Sequence, residues 1–149
     1  MAAMEPESEL LIVSANEWLK ESLMGFVLEM RGHSLDAGTI TFHSVHPRYS
    51  YVRLDESGLV NEAAQRNPIS NHATAGVFWF KRTGDAMSAI QSMIRKDAQV
   101  DGDFYIAPAL NEMLLKQARI GVKQIDARNY YPIKDELQLS RLNLVYSDI

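Results

Sequence analysis

Residues 74–80, TAGVFWF, are apolar on both faces of any strand they form. Such a run belongs in the interior of a sheet whose two faces are both covered. The run LLIVSA, residues 10–15, has strand length and the same continuous apolar character, so it too is expected to be buried on both faces. Behind it Leu19, Leu23, Phe26, Val27 and Met30 fall at helical spacing, with Asn16 placed as the N-cap and Glu17 at the positive end of the helix dipole. A strand passing directly into a helix is the mark of an α/β layer.

The remaining pattern completes that layer. GTITFHSV, residues 38–45, reads as the next strand. YSYVRLD (49–55) and LVNEAA (59–64) flank ESG, a hairpin turn in which Gly58 can take a positive φ. Residues 85–96 return to helical spacing through Met87, Ile90 and Ile94, and end on Arg95 and Lys96 where cations are favoured. A short helix carries Leu110, Met113 and Leu114; residues 119–126, RIGVKQID, form a strand; and 134–142, KDELQLSRL, form a closing helix. Tight hairpins beside strand–helix units exclude a purely parallel sheet. The expected class is therefore α/β, a mixed sheet flanked by helices. No repeat or linker divides the chain, which predicts one domain over 9–149 after a short disordered lead, 1–8.

Composition narrows the function. A net charge of −4 gives no basic excess with which to neutralise phosphates, so nucleic-acid binding is not expected. The absence of cysteine excludes disulfides, thiolate metal sites and a cysteine nucleophile, and agrees with a cytoplasmic setting. No apolar run has the length of a membrane span, and the acidic start MAAMEPESE lacks the apolar stretch of a signal peptide. Motifs for a phosphate-cradling loop, a nucleophile elbow and a His-Glu-x-x-His zinc site are all missing. His43 and His46 lie three apart on a predicted strand, which points them to opposite faces and argues against a shared metal.

Taken together, three pieces in order carry a resemblance: YSYVRLDESGLV, ISNHATAGVFWF and FYIAPALNEML, preceded by LLIVSANEW. This order resembles the sugar-phosphate nucleotidyltransferases over residues 10–142. Members of that family join a nucleoside triphosphate to a sugar 1-phosphate and release pyrophosphate. The resemblance implies the second, sugar-binding half of a nucleotide-diphospho-sugar transferase (GT-A-like) fold. The family's Gly-rich loop, which holds the nucleotide's phosphates, belongs to the half that has no match here.

Within the matching half, the resemblance implies a changed site. Asn16 stands where the family has a magnesium-binding Asp, and Gln65 and Arg66 stand where it has a Glu-Lys pair. An Asn keeps a carbonyl oxygen but not the charge that a hard dication needs. Gln65 can still accept from a hydroxyl, and Arg66 can still bind phosphate. Gly76 matches the Gly that lets sugar approach the backbone; Asp103 and Asn111 match an acidic position and the helix after it. Each has a plainer reading: a helix cap at Asn16, a solvated loop pair at Gln65 and Arg66, close packing at Gly76, a turn at Asp103. Trp79 and Tyr105 read as core or rim aromatics. Asp126 lies where many members carry a second metal carboxylate, but NYYPIKDEL does not reproduce the turn that follows it in the family.

The resulting expectation is a degenerate nucleotidyltransferase-like domain, non-catalytic alone, that binds a sugar phosphate or nucleotide sugar through Gln65, Arg66, Gly76, Asp103 and Asn111 and holds no metal. Two alternatives stand beside it. One is an active enzyme completed by a missing segment or partner subunit, with magnesium as its cofactor. The other is a dimerisation or scaffold module. A sheet lacking half of its family's fold exposes an edge, which predicts a homodimer or a complex with a partner subunit.

Overall fold

This computed structural model describes residues 5–133. Among the described residues six strands form one sheet, two short strands pair separately, and three α-helices and one 3-10 turn complete the fold. The order across the sheet is β5 (Val60–Gln65), β4 (Ser50–Leu54), β6 (His72–Phe80), β3 (Ala37–His43) and β7 (Ile120–Gln124), and β1 (Leu10–Val13) pairs with the far end of β6. Only the β3–β7 pairing is parallel within this sheet, so the sheet is mixed, as the hairpin-plus-helix pattern requires.

Strand β6 is the spine. Its odd-numbered residues Ala73, Ala75, Val77 and Trp79 join one apolar cluster, while Phe78 and Phe80 join the other. Alternation along a strand sends these sets to opposite faces. One face is covered by α1 (Leu23–Gly32) through Phe26, Val27 and Met30; the other by α2 (Thr83–Arg95) and α3 (Ile106–Leu114) through Ala86, Met93, Leu110 and Met113. The expected two-sided burial of residues 74–80 is thereby met.

The hairpin also forms as expected. Asp55 Oδ1 accepts from the Ser57 and Leu59 N–H groups, at 2.8 and 3.0 Å, and Gly58 takes φ +84°.

Two expectations need correction. Strand β1 is not buried on both faces: it lies at a sheet edge, with Leu10 and Ile12 packed on the core while Leu11 is 37% and Val13 49% exposed. A short apolar run has the same composition whether one or both of its faces are covered. Asn16 is not a helix N-cap. Residues Glu17–Leu19 form β2, paired antiparallel with β8 (Tyr130–Pro132), and Ser22 caps α1 instead, its Oγ accepting from Gly25 N–H at 2.9 Å. The Trp18 ring meets Tyr131 edge-on, with centroids 5.6 Å apart. That cross-strand pairing overrides the helical spacing of Leu19 and Leu23. The expected closing helix over 134–142 lies outside the described residues.

At the chain's start, the carbonyls of Pro6 and Ser8 accept from Gly84 and Thr83 N–H, at 2.9 and 2.7 Å, at the beginning of α2. No described helix is long and apolar enough to cross a membrane.

Candidate functional site

Strand β6 breaks step at Gly76. The β3–β6 register shifts between Thr39 and Thr41, and Gly76 adopts φ +72°. A bulge of this kind re-aims the chain, and at positive φ it favours glycine. Its carbonyl accepts from Ser14 N–H at 2.8 Å, which ties the end of β1 to the bulge. A Cβ at Gly76 would overlap the Glu17 carboxylate, whose Cδ would lie 2.7 Å away, and Ser14 Cβ at 2.8 Å. The glycine is therefore demanded twice, by backbone conformation and by the side chain packed over it.

Above the bulge opens a cleft of about 400 Å³. Asn16, Gln65, Arg66 and Gly76 line it together, although they come from three separate segments of the chain. Gln65 pairs with Ser50 across β5 and β4, and Ser50 Oγ hydrogen-bonds Thr74 Oγ1 across β4 and β6. The cleft thus crosses three strands, from Gln65 to the β6 bulge. Two strand spacings make that span about 10 Å.

Arg66 is the best-defined cation of the cleft. Its φ is +58°, a left-handed conformation that costs a non-glycine residue about 1 kcal/mol. Its own N–H donates to Tyr49 O at 2.8 Å, which holds the backbone there. The guanidinium lies 5.6 Å from the centroid of the Tyr105 ring and pairs with Asp101 Oδ2 at 3.1 Å. Both partners of that ion pair are about half exposed or more, so the pair is weak and exchangeable. Arg48 also lines the cleft, with its guanidinium 5.0 Å from the Tyr49 ring, and makes no ion pair among the described residues.

Glu17 lies at the other end. Tyr130 stands by its carboxylate, and the Oε2 atom is buried without a partner among the described residues. Burial pushes this carboxyl above its ordinary range, and the Tyr130 bond opposes the shift. Tyr130 is itself pushed strongly up, by its burial and then by the nearby Glu17 charge. The Tyr130 ring stacks on Phe42 at 4.1 Å between centroids, which fixes the hydroxyl.

Asp103 and Asn111 do not line this cleft. Asn111 completes the exposed margin of β5: its Oδ1 accepts from Ala63 N–H at 2.8 Å and its Nδ2 donates to Ala63 O at 2.7 Å. Asp103 exchanges backbone hydrogen bonds with Val100 around a turn in which Asp101 and Gly102 have positive φ. The acidic partner of Arg66 is Asp101, two residues earlier. Trp79 is core, 1% exposed, and donates from Nε1 to Glu9 Oε1 at 3.2 Å; Tyr105 is a rim residue of the cleft. Asp126 caps a 3-10 turn and is gripped by Arg128, which holds its carboxyl down at about 2. His46 Nδ1 accepts from Arg48 N–H at 3.2 Å, while His43 sits across from His72. Among the described residues, no three His, Cys, Asp or Glu side chains come together as a metal-ligating group.

Sequence reasoning missed Glu17 and Arg48. Reading Glu17 into a helical first turn hid it; an alternating Glu-Trp-Leu reads equally well as a strand. Nothing local in the sequence distinguishes Arg48 from any exposed loop arginine.

The sequence matches no protein-family model and no curated protein. Solved structures do match the fold. The nucleoside-diphosphate-sugar pyrophosphorylase of Vibrio cholerae RC9 superposes with a TM-score of 0.77 at 18% identity, over 89% of this chain and 55% of that one. A Bacillus anthracis protein described as a glucose-1-phosphate thymidylyltransferase, with sucrose bound, superposes with a TM-score of 0.67 at 16% identity, over 96% of this chain and 56% of its own. The chain therefore has a nucleotidyltransferase-like α/β fold and spans little more than half the length of these structures.

Proposed function

We propose that this chain is a sugar-phosphate-binding domain on a nucleotidyltransferase-like fold, taken as one domain over 9–149, which does not carry out nucleotidyl transfer alone. The observation that supports it best is the convergence of Asn16, Gln65, Arg66 and Gly76 on one cleft. Arg66 and Arg48 supply cations for a phosphate, and Gln65, Ser50 and Thr74 supply hydroxyl-bonding groups. Asp103 and Asn111 have structural tasks and are left out of the binding set. The structures with this fold include proteins named for pyrophosphorylase and thymidylyltransferase activity, so the ligand class follows by analogy of fold, and the cleft's cations and hydroxyl-bonding groups support it.

The reading without catalysis rests on donor chemistry. Phosphoryl-type transfer is mostly positioning and neutralisation of charge. The cleft offers Asn16 in place of a charged ligand, and Glu17, the one carboxylate lining it among the described residues, is tucked against Gly76 near Tyr130. The sequence carries no glycine-rich phosphate loop. Magnesium enters only if another segment or subunit completes the site.

The direct test is calorimetry with glucose 1-phosphate. Saturable binding that Arg66→Ala weakens about tenfold supports the reading. Absence of binding by every sugar 1-phosphate tried, or binding indifferent to Arg66, defeats it. Pyrophosphate release from nucleoside triphosphate and sugar 1-phosphate with magnesium would instead establish the active alternative.

A second feature favours assembly. Ser14 N–H points into the β1–β6 ladder, so by alternation the Leu11 and Val13 backbone groups point away from it, without a partner among the described residues. Arg31 binds Glu9 through two hydrogen bonds, one of them 2.6 Å, and this lays α1 alongside β1. Met24 and Leu28, on the same helical stripe as Arg31, are 63% and 55% exposed, and on β1 Leu11 and Val13 are 37% and 49% exposed. A second copy, with β1 and α1 antiparallel to the first, would cover these side chains and bring the Glu21 end of one α1 to Arg31 of the other. Light scattering of Leu28→Glu should then give half the mass of the parent protein; a parent monomer at micromolar concentration would rule this out.

A further inference from the structure

The cleft has opposite electrostatic ends, and the acidic end is unfinished. Glu17 is half-buried, its Oε2 is sealed from solvent, and no described side chain or backbone group donates to that oxygen. The Tyr130 hydroxyl acts on the carboxylate from β8. Leaving one acceptor of a carboxylate unpaired is costly, and the cost is larger when the group is charged. The sequence nonetheless makes room for it: Gly76 lacks the Cβ that would overlap the carboxylate. Glu17 lines this cleft together with Gly76, and it also borders a smaller apolar cleft beside Trp18 and Leu19.

Resting on the sugar-phosphate reading above, we propose that the cleft selects an amino-sugar phosphate: Glu17 receives the ligand's ammonium group while Arg48 and Arg66 take its phosphate. The carboxylate reaches the ligand by turning about its terminal torsion, which is soft. A hydroxyl would fill the empty acceptor but leave the charge of a half-buried carboxylate unbalanced. An ammonium supplies both a donor and the opposite charge. No cationic side chain among the described residues pairs with Glu17; the polar neighbours that act on it are the Tyr130 hydroxyl and, through Tyr130, Tyr49 and Arg48. A metal ion fits less well, because this is a single carboxylate with no companion His, Asp or Glu grouping. The span of about 10 Å from the bulge to the Gln65 strand accommodates one hexose with its phosphate.

The test is calorimetry at pH 7 with glucose 1-phosphate, glucosamine 1-phosphate and N-acetylglucosamine 1-phosphate. Glucosamine 1-phosphate should bind about tenfold tighter than glucose 1-phosphate, and acetylation should remove that advantage because it removes the charge. In Glu17→Gln the ratio between the first two ligands should fall to within about twofold. Equal affinity for the charged and neutral sugars in the parent protein, or a preference that survives Glu17→Gln, overturns the amino-sugar assignment and leaves the sugar-phosphate reading standing. Failure of all three ligands to bind overturns both. The comparison of ligands on the parent protein decides the matter even if Glu17→Gln does not fold.

Discussion

The two ends of the cleft are built on different terms. The cationic end stands on loops and strand termini: Arg66 and Asp101 are about half exposed or more, and their ion pair can be exchanged for another anion with little change in stability. The acidic end is embedded. Glu17, Gly76, Ser14 and Tyr130 come from four segments and touch one another, and the bulge in β6 depends on their fit. The contrast teaches that affinity and stability are separable at one end of the site and coupled at the other. A mutation among the arginines should read out in binding alone, whereas one at the floor should move both.

The sharpest way to break this contrast is Gly76→Val. Positive φ and overlap with Glu17 should together cost about 3 kcal/mol or more, seen as a large fall in Tm. A loss under about 1 kcal/mol would mean that the floor is loose. A double-mutant cycle sharpens the point: Glu17→Ala should recover part of the cost of Gly76→Ala, because it removes the group that the new Cβ meets.

Tyr130→Phe comes next. It removes the hydroxyl that acts on Glu17 and should destabilise by about 1–2 kcal/mol in denaturant titration. Smaller again is the pH effect. Burial raises the Glu17 pKa above its ordinary 4.5, so the folded state binds this proton more tightly than the unfolded state does. The stabilising contribution of the protonated form is complete below about pH 4.5 and is lost as pH rises through the raised value. Glu17→Gln should flatten this slope and be the more stable protein at pH 8, by about 1 kcal/mol, in thermal unfolding across pH. The smallest expected effect is at the other end: Asp101→Asn should leave Tm within about 1 °C and tighten phosphate binding about twofold by freeing Arg66. A Tm change as large as that of Tyr130→Phe would erase the distinction between the two ends.

Much of the fold was legible because it follows local rules. The apolar run 74–80 became the central strand, the turn at Gly58 closed its hairpin, and the helix over Ile106–Leu114 buries Leu110 and Met113; the helix over Thr83–Arg95 also forms, but it buries Ala86, Ala89 and Met93 and leaves Met87 and Ile94 on its exposed side. Four of the residues picked from resemblance, Asn16, Gln65, Arg66 and Gly76, meet at one cleft. Asp103 and Asn111 could not be judged from sequence, because a turn aspartate and an asparagine that completes a strand margin look the same as ligand-binding ones until their partners are known.

The amino-acid sequence by itself determined the mixed α/β layering and the need for a glycine inside an apolar strand, since periodicity and conformational freedom are properties of neighbouring residues. Only the tertiary structure decided that β1 is an edge, that residues 17–19 pair with Tyr130–Pro132 instead of entering a helix, and that Glu17 lies over Gly76. Those outcomes depend on contacts between segments more than fifty residues apart, and burial of a charge or pairing of an edge is defined only once the distant partner has arrived.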